Sequence, residues 1–299
     1  MNKIVIFGVG LIGGSLALAL KKTVAAPKIV GVGRNLENLK LALHLGVIDE
    51  AESNVAKAVT DADLVLIATP VAQTPKILEA IIPHLGQNAV VTDAGSTKSD
   101  IEQYVINASR QAKNPQHFLS QFVGAHPIAG AEKSGVTAAK NDLFIGKNVV
   151  LTPNENTSAE AIKLVRELWQ ITGANVSEMT AQAHDQIFAA VSHLPHLLAF
   201  ALVNNLANRP NAKQLFDFAA SGFRDFTRIA GSSPEMWRDI SLANKTALMN
   251  ELEAYQSEIS SLQNLLKSED SQGLQAMFEH ASQARLAWQK ERENSPEKS

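Results

Sequence analysis

Directly after the apolar run Lys3–Phe7 the chain reads Gly8-Val-Gly10-Leu-Ile-Gly13, and an aliphatic stretch then continues to Leu20. Glycines at this spacing mean little alone; their flanks decide what they do. The β-branched residues ahead of them predict a strand over 3–8, and the small and aliphatic residues behind them predict a helix opening after the turn. In that context Gly8 permits a tight turn, Gly10 lets a pyrophosphate approach the backbone, and Gly13 allows the helix to pack closely on the strand, with phosphate at the helix N-terminus. The same run could pass for a signal-peptide core or a short membrane span. Gly8, Gly10, Gly13 and Gly14 interrupt it, and no small-residue cleavage pattern follows, so neither is expected.

The pattern repeats down the first half. Apolar strands are predicted at 28–33, 62–70, 88–96, 122–130 and 147–153, and helices at 35–46, 74–85 and 157–173. Asn35 caps the first of these helices and Gly46 and Gly173 end two of them. Continuous apolar strands between helices predict an α/β domain of the Rossmann type, a doubly wound parallel sheet covered on both faces. From about Thr180 onward the chain reads as all helical. A chain of 299 residues has room for two domains. The expected division is a dinucleotide-binding domain over 1–175, an all-α substrate-binding and dimerisation domain over 176–292, and a polar tail over 293–299. Leu248, Leu252, Tyr255, Ile259, Leu262 and Leu266 alternate by four and three, a heptad seam. Packing within its own domain and packing against a second copy would both bury it; a homodimer through these C-terminal helices is the expectation.

A formal net charge of -3 and the lack of any Lys/Arg run give no general attraction to nucleic acid or to an anionic membrane, so a small-molecule partner is expected. The chain has no cysteine, which excludes disulfides, thiolate nucleophiles and Cys-based metal sites and fits a cytoplasmic protein.

NAD enzymes of this fold place Asp or Glu after the second strand to hold the ribose hydroxyls. Here Gly33-Arg34-Asn35 stands instead. A guanidinium suits a 2'-phosphate, so NADP is favoured, with NAD possible. The expected cofactor contacts are Gly8, Gly10, Leu11, Ile12, Gly13, Arg34, Asn35, Thr69 and Pro70.

Four further stretches carry chemistry. TDAGSTKSD, 92–100, turns from a strand into a loop with Asp93, Ser96 and Lys98; GAHPIAGAEKSG, 124–135, puts His126 after a strand and Glu132 beyond it. Both lie where open parallel sheets bind ligands, outside the carboxyl ends of the strands. VSHLPHLLAFAL, 191–202, follows AHDQIFAA and sets His193 and His196 on one helix face, about 60° apart by helical geometry. Pro195 frees the carbonyl of Val191 and should bend the helix. A zinc site there lacks the HExxH glutamate and any Cys, so no metal is expected. Finally, SGFRDFTRIAGSSPEMWRDI, 221–240, puts Arg224 and Arg228 four residues apart beside Phe223, Phe226 and Trp237. Paired cations near aromatics suit an anionic, ring-shaped ligand, although each arginine could instead pair with Asp225 or Asp239.

Together GVGLIGGSLA, DAGSTKSDI, GAHPIAGAEKSG, HDQIFAAVSHLPHLLAFAL and GFRDFTRIAGSSPEMWRDI resemble the prephenate dehydrogenase family, including the arogenate and cyclohexadienyl dehydrogenases of tyrosine biosynthesis, over nearly the whole chain. The resemblance implies oxidation of a ring alcohol by hydride transfer to nicotinamide, followed by loss of the ring carboxylate and aromatisation. It implies that His126 accepts the alcohol proton and that Ser96 hydrogen-bonds the same region. His196 is then a substrate contact, Arg228 holds a substrate carboxylate, Glu132 lies near the pocket entrance and Trp237 lies in the helix wall. An imidazole with a pKa near 6.5 is matched to proton acceptance at neutral pH. No chorismate mutase or ACT regulatory segment is expected in this chain, so tyrosine, if it inhibits, should compete at the substrate site. Rival expectations are a two-domain NADP dehydrogenase of the beta-hydroxyacid or imine-reductase type and a non-catalytic NADP-binding sensor; neither calls for HPIAG, SHLPH and FTRIA together.

Overall fold

The structure is a computed structural model, which describes residues 1–130 and 133–294. The chain divides into two compact units, Met1–Lys245 and Thr246–Ser299. In the first, the elements run β1 (Lys3–Phe7), α1 (Leu11–Leu20), β2 (Lys28–Val32), α2 (Leu36–His44), β3 (Glu50–Ala51), α3 (Val55–Val59), β4 (Leu64–Ile67) and α4 (Thr74–Ile81). They continue as β5 (Val90–Asp93), α5 (Ser99–Ser109), α6 (Pro115–Ser120), β6 (Phe122–Pro127), β7 (Asn148–Thr152), α7 (Ala159–Gln170) and β8 (Asn175–Glu178). Then come the helices α8 (Ala181–Phe188), α9 (Leu194–Ala207), α10 (Ala212–Asp217), α11 (Ser221–Thr227) and α12 (Pro234–Ala243). α13 (Lys245–Lys267) and α14 (Ser271–Asn294) make up the second unit.

The sheet order is β3-β2-β1-β4-β5-β6-β7-β8. All pairs are parallel except β6 with β7, where His126 stands opposite Val150 in antiparallel register. The expected sheet was wholly parallel; this one reversal is a correction. Strand direction depends on whether the connection crosses the sheet or folds back, and an apolar run reads the same both ways. The two short strands β3 and β8 also went unread, since two residues and NVSE carry too little apolar signal.

Why the strands are apolar throughout is visible in β1. Ile4 and Ile6 point into one core with Leu16, Leu20, Leu66 and Trp169, while Val5 and Phe7 point into another with Val65, Ile67, Leu78 and Val105. Successive side chains take opposite faces, and both faces are covered. The turn after β1 is held by Gly8 N–H donating to the Val32 carbonyl (3.0 Å) and Ala68 N–H donating to the Phe7 carbonyl (2.7 Å). Gly8 sits at φ +94, and a Cβ there would meet the Ala68 carbonyl oxygen at 2.6 Å. At Gly13 it would meet the Gly8 carbonyl oxygen at 2.4 Å, so only hydrogen fits between helix and turn.

Pro195 does not produce a simple bend. Residues 189–193 form a single π-helical turn between α8 and α9, and Pro195 falls in the first turn of α9, where its missing N–H is least needed. The stretch 181–207 is long and apolar enough to cross a membrane by length and composition. It nevertheless carries the buried polar side chains His184, Asp185 and His193, each hydrogen-bonded within the first unit. In the second unit the heptad seam leaves Tyr255, Ile259 and Leu266 exposed, as are Phe278, Leu286 and Trp288 of α14.

Replacing Gly13 by Ala should destabilise the protein by about 1–3 kcal/mol, because the contact partner is backbone and cannot rotate away. A urea unfolding midpoint equal to that of the unsubstituted protein would show that the turn can open.

Candidate active site

Four loops converge at the carboxyl ends of β1, β4, β5 and β6. Beside β1 and β4 runs a groove of about 1390 Å³ whose lining includes Gly8, Gly10, Arg34, Asn35, Thr69 and Pro70. It lies where β2 and β4 flank β1 on opposite sides, the switch point at which this fold takes dinucleotides. A Cβ built on Gly10 meets nothing within 4 Å, so the glycine leaves open space over the start of α1. That helix has no side-chain cap and no acidic residue in its first turn, so its free N–H groups suit an anion. Leu11 and Ile12 open α1, with Ile12 packed against the core; Gly13 underlies the turn. Asn35 spends its side chain on capping, accepting from Asn38 N–H at 3.0 Å. Arg34 is exposed and has no hydrogen-bond or ion-pair partner among the described residues.

At the end of β6, His126 is partly buried, with Nδ1 2.8 Å from His184 Nε2. His184 Nδ1 in turn lies 2.9 Å from Asp185 Oδ1. Phe188 packs on both imidazoles, at ring-centroid distances of 4.9 Å and 4.5 Å. Asp185 accepts from the backbone N–H groups of Lys98 and Ser99, each at 2.8 Å, which ties α8 to the loop after β5. Lys98 is not an accessible base. Its side chain is fully buried and ion-paired to Asp93, whose other oxygen accepts from Ala125 N–H at 3.1 Å. Thus the residue before His126 is held by the same carboxylate that neutralises Lys98.

His193 and His196 have separate tasks. His193 is 1% exposed, and its Nδ1 lies 3.1 Å from Asn244 Nδ2, an amide that also donates to the Asp185 carbonyl at 2.8 Å. Ser96 itself is half-buried in the loop after β5. His196 donates from Nδ1 to the Ser192 carbonyl at 2.9 Å and stacks on Trp237, with centroids 3.7 Å apart and planes 21° apart. Arg228 is near enough to His196 to affect its protonation. It caps the C-terminal end of α11 with helical backbone angles and opens a 3₁₀ turn, four residues after Arg224. Asp239 pairs with Arg238 rather than with either arginine. Glu132 lies outside the described residues.

Each of these histidines is held neutral. His126 is lowered well below the ordinary value of 6.5, by burial first and then by His184, Lys98 and His193. Burial is also the largest cause for His184, for His193, lowered to about 4, and for His196, where Arg228 adds to it. The simple expectation of a base near 6.5 is thus revised downward: His126 keeps its lone pair across the whole neutral range. Sequence reasoning missed His184, Asp185 and Asn244. The available signal was the His-Asp pair inside the otherwise apolar AHDQIFAA.

The fold and the site define a nucleotide-dependent dehydrogenase, with a groove at the switch point of the sheet and a buried histidine cluster at the end of β6. Family models described as "Prephenate dehydrogenase, nucleotide-binding domain" and "Prephenate dehydrogenase, dimerization domain" match residues 16–178 and 180–280. The chain belongs to the prephenate dehydrogenase family. It is 40% identical to prephenate dehydrogenase of Bacillus subtilis, over 95% of this chain and 75% of that one. The prephenate dehydrogenase of Aquifex aeolicus, solved with hydroxyphenyl propionate and NAD+, superposes with TM-score 0.88 at 36% identity, covering 96% of this chain and 98% of the other. Synechocystis arogenate dehydrogenase gives TM-score 0.79 at 30% identity, with coverage of 96% and 99%.

The protonation pattern sets the sign of a pH effect. Below about 6.5 the unfolded chain takes up protons that the folded histidines refuse, so stability should fall from pH 7 to pH 5. His193 alone contributes about 1–2 kcal/mol of that loss by pH 5. Asp100 and Glu102, pushed up by burial, offset part of it. A higher urea midpoint at pH 5 than at pH 7 would contradict this.

Proposed function

We propose that this chain is an NAD(P)-dependent oxidoreductase of tyrosine biosynthesis, which oxidises the ring alcohol of prephenate, arogenate or both with loss of the ring carboxylate as carbon dioxide. The observation that carries this is a neutral His126 imidazole at the end of β6, with Nδ1 engaged and Nε2 without a partner among the described residues. When bound, the nicotinamide accepts the hydride. His126 accepts the alcohol proton, an acid–base contribution of about 10² to 10⁴ in rate. Ser96, in the loop after β5, hydrogen-bonds the same region. Trp237 and the stacked His196 form an apolar wall for the ring, and Arg228 holds a substrate carboxylate. Glu132 is assigned to the pocket entrance on the sequence motif alone. Loss of carbon dioxide then yields an aromatic ring, which makes the reaction effectively irreversible.

The proposed division of labour is a dinucleotide-binding part to about residue 175 and a helical part over 176–292 that binds substrate and dimerises. A homodimer through the C-terminal helices would cover the exposed heptad seam, in keeping with the matched dimerization domain. The chain is proposed to act in the cytoplasm, without nucleic acid or membrane partners.

Purified protein assayed with prephenate and arogenate should release carbon dioxide and reduce the cofactor with at least one of them. His126→Asn should lower turnover by about 10² to 10⁴, and Arg228→Ala should act mainly on substrate affinity. Near-normal turnover of His126→Asn would overturn the assignment of the base.

For the cofactor we propose a preference for NADP. Gly33-Arg34-Asn35 stands where an NAD enzyme places a carboxylate, and the Arg34 guanidinium, without a partner among the described residues, suits a 2'-phosphate. Loss of one charge-assisted contact predicts that Arg34→Ala raises KM for NADP by about 10- to 100-fold and leaves KM for NAD nearly unchanged. A wild-type enzyme that works equally well with NAD, or better, would defeat this assignment.

A further inference from the structure

The imidazole of His126 can serve as a base only from a nitrogen that carries a lone pair, and nothing on its own ring decides which one that is. The decision comes from behind it. Asp185 is 5% exposed and accepts three hydrogen bonds, from Lys98 N–H, Ser99 N–H and the His184 ring. An ionised carboxylate can only accept, so the proton between it and His184 lies on His184 Nδ1. His184 is 0% exposed and neutral, so its second nitrogen, Nε2, has a lone pair. The 2.8 Å contact from that nitrogen to His126 Nδ1 needs one proton, and only His126 can supply it. Nε2 of His126 is then left as the acceptor. Phe188, packed on both rings, prevents the contact from being replaced by water.

We infer that His184 and Asp185 are positioning residues for the reaction: a buried carboxylate–imidazole pair that fixes the tautomer of His126 so that its open nitrogen, Nε2, is the proton acceptor. This rests on the proposed role of His126 as base. The sequence is Asp185 Oδ1, His184 Nδ1–H, His184 Nε2, His126 Nδ1–H, with each proton shared once. When His126 takes the substrate proton it becomes an imidazolium, and its Nδ1–H is already aimed at an acceptor whose far side is bound to a carboxylate. A carboxylate behind a histidine supports a base in the same way in hydrolase triads, where the acid orients the ring and does not itself take the proton. The extra imidazole here carries that influence from α8 to the end of β6.

The test is NMR of the full chain with 15N-labelled histidine, combined with kinetics. His126 should show a protonated Nδ1 and an unprotonated Nε2. Asp185→Asn can turn its amide N–H towards His184, which reverses the donor order and places the His126 proton on Nε2; kcat should fall about 10²-fold or more with KM little changed. Because Asp185 also anchors the loop after β5, a second pair of variants keeps the inference testable if that one fails to fold. The side-chain carbonyl of His184→Gln can still accept from His126 Nδ1, whereas His184→Phe cannot. His184→Gln should therefore turn over roughly tenfold faster than His184→Phe, while both bind the cofactor alike. The acid limb of the kcat profile should also move between the two, against a constant background from Lys98, Asp93 and His193, which face the same cluster. A wild-type His126 protonated on Nε2, or equal kcat for the Gln and Phe variants, would overturn the inference. If His126→Asn kept its turnover while the NMR tautomer was as expected, the base assignment would fail instead.

Discussion

A carboxylate withdrawn from water must be given hydrogen bonds or positive charge, and two such groups organise the reactive end of this protein. Asp93, 1% exposed, takes Gly95 N–H, Ala125 N–H and the buried Lys98 ammonium. Asp185 takes Lys98 N–H, Ser99 N–H and His184. Lys98 belongs to both sets, through its side chain to one and its backbone to the other. The ends of β5 and β6 and the start of α8 are therefore locked through one short loop. Removing either acid would strand its partners, so the geometry around His126 is over-determined.

On this base the helical elements place two further imidazoles. The π turn at 189–193 leads into α9, and His193 and His196 both pack on Trp237 while taking different hydrogen-bond partners. His193 hydrogen-bonds Asn244, and His196 hydrogen-bonds the Ser192 carbonyl. One imidazole is thereby linked through Asn244 to the Asp185 carbonyl, and the other is stacked on Trp237 near Arg228. Burial keeps all of them neutral, which leaves Arg228 as the charge felt by His196.

Much of this was legible in the chain. The strands were readable because both faces are buried, so the apolar runs are unbroken; the glycine turn was readable because Gly8 and Gly13 fit where no side chain can. His126, Ser96, His196, Arg228 and Trp237 were named as site candidates from their motifs, and the fold stacks two of them, His196 and Trp237, on each other. His184 and Asp185 were in view in AHDQIFAA but had no assigned role, since a polar pair in an apolar helix does not name its partner. Asn244 gave no signal, as its contacts are 51 and 59 residues away.

The sequence by itself determined the alternation of strand and helix, the phosphate-binding turn, the absence of thiol chemistry and the set of side chains able to move a proton or hold an anion. These follow from local spacing and from residue chemistry, which need no third dimension. Only the tertiary structure decided that β7 runs against β6, that Lys98 is spent on Asp93, that the two histidines of SHLPH take different hydrogen-bond partners, and that His126 is backed by His184. Each depends on what a buried polar group meets across the fold, and hydrogen-bond partners at that range are set by packing rather than by neighbours in the chain.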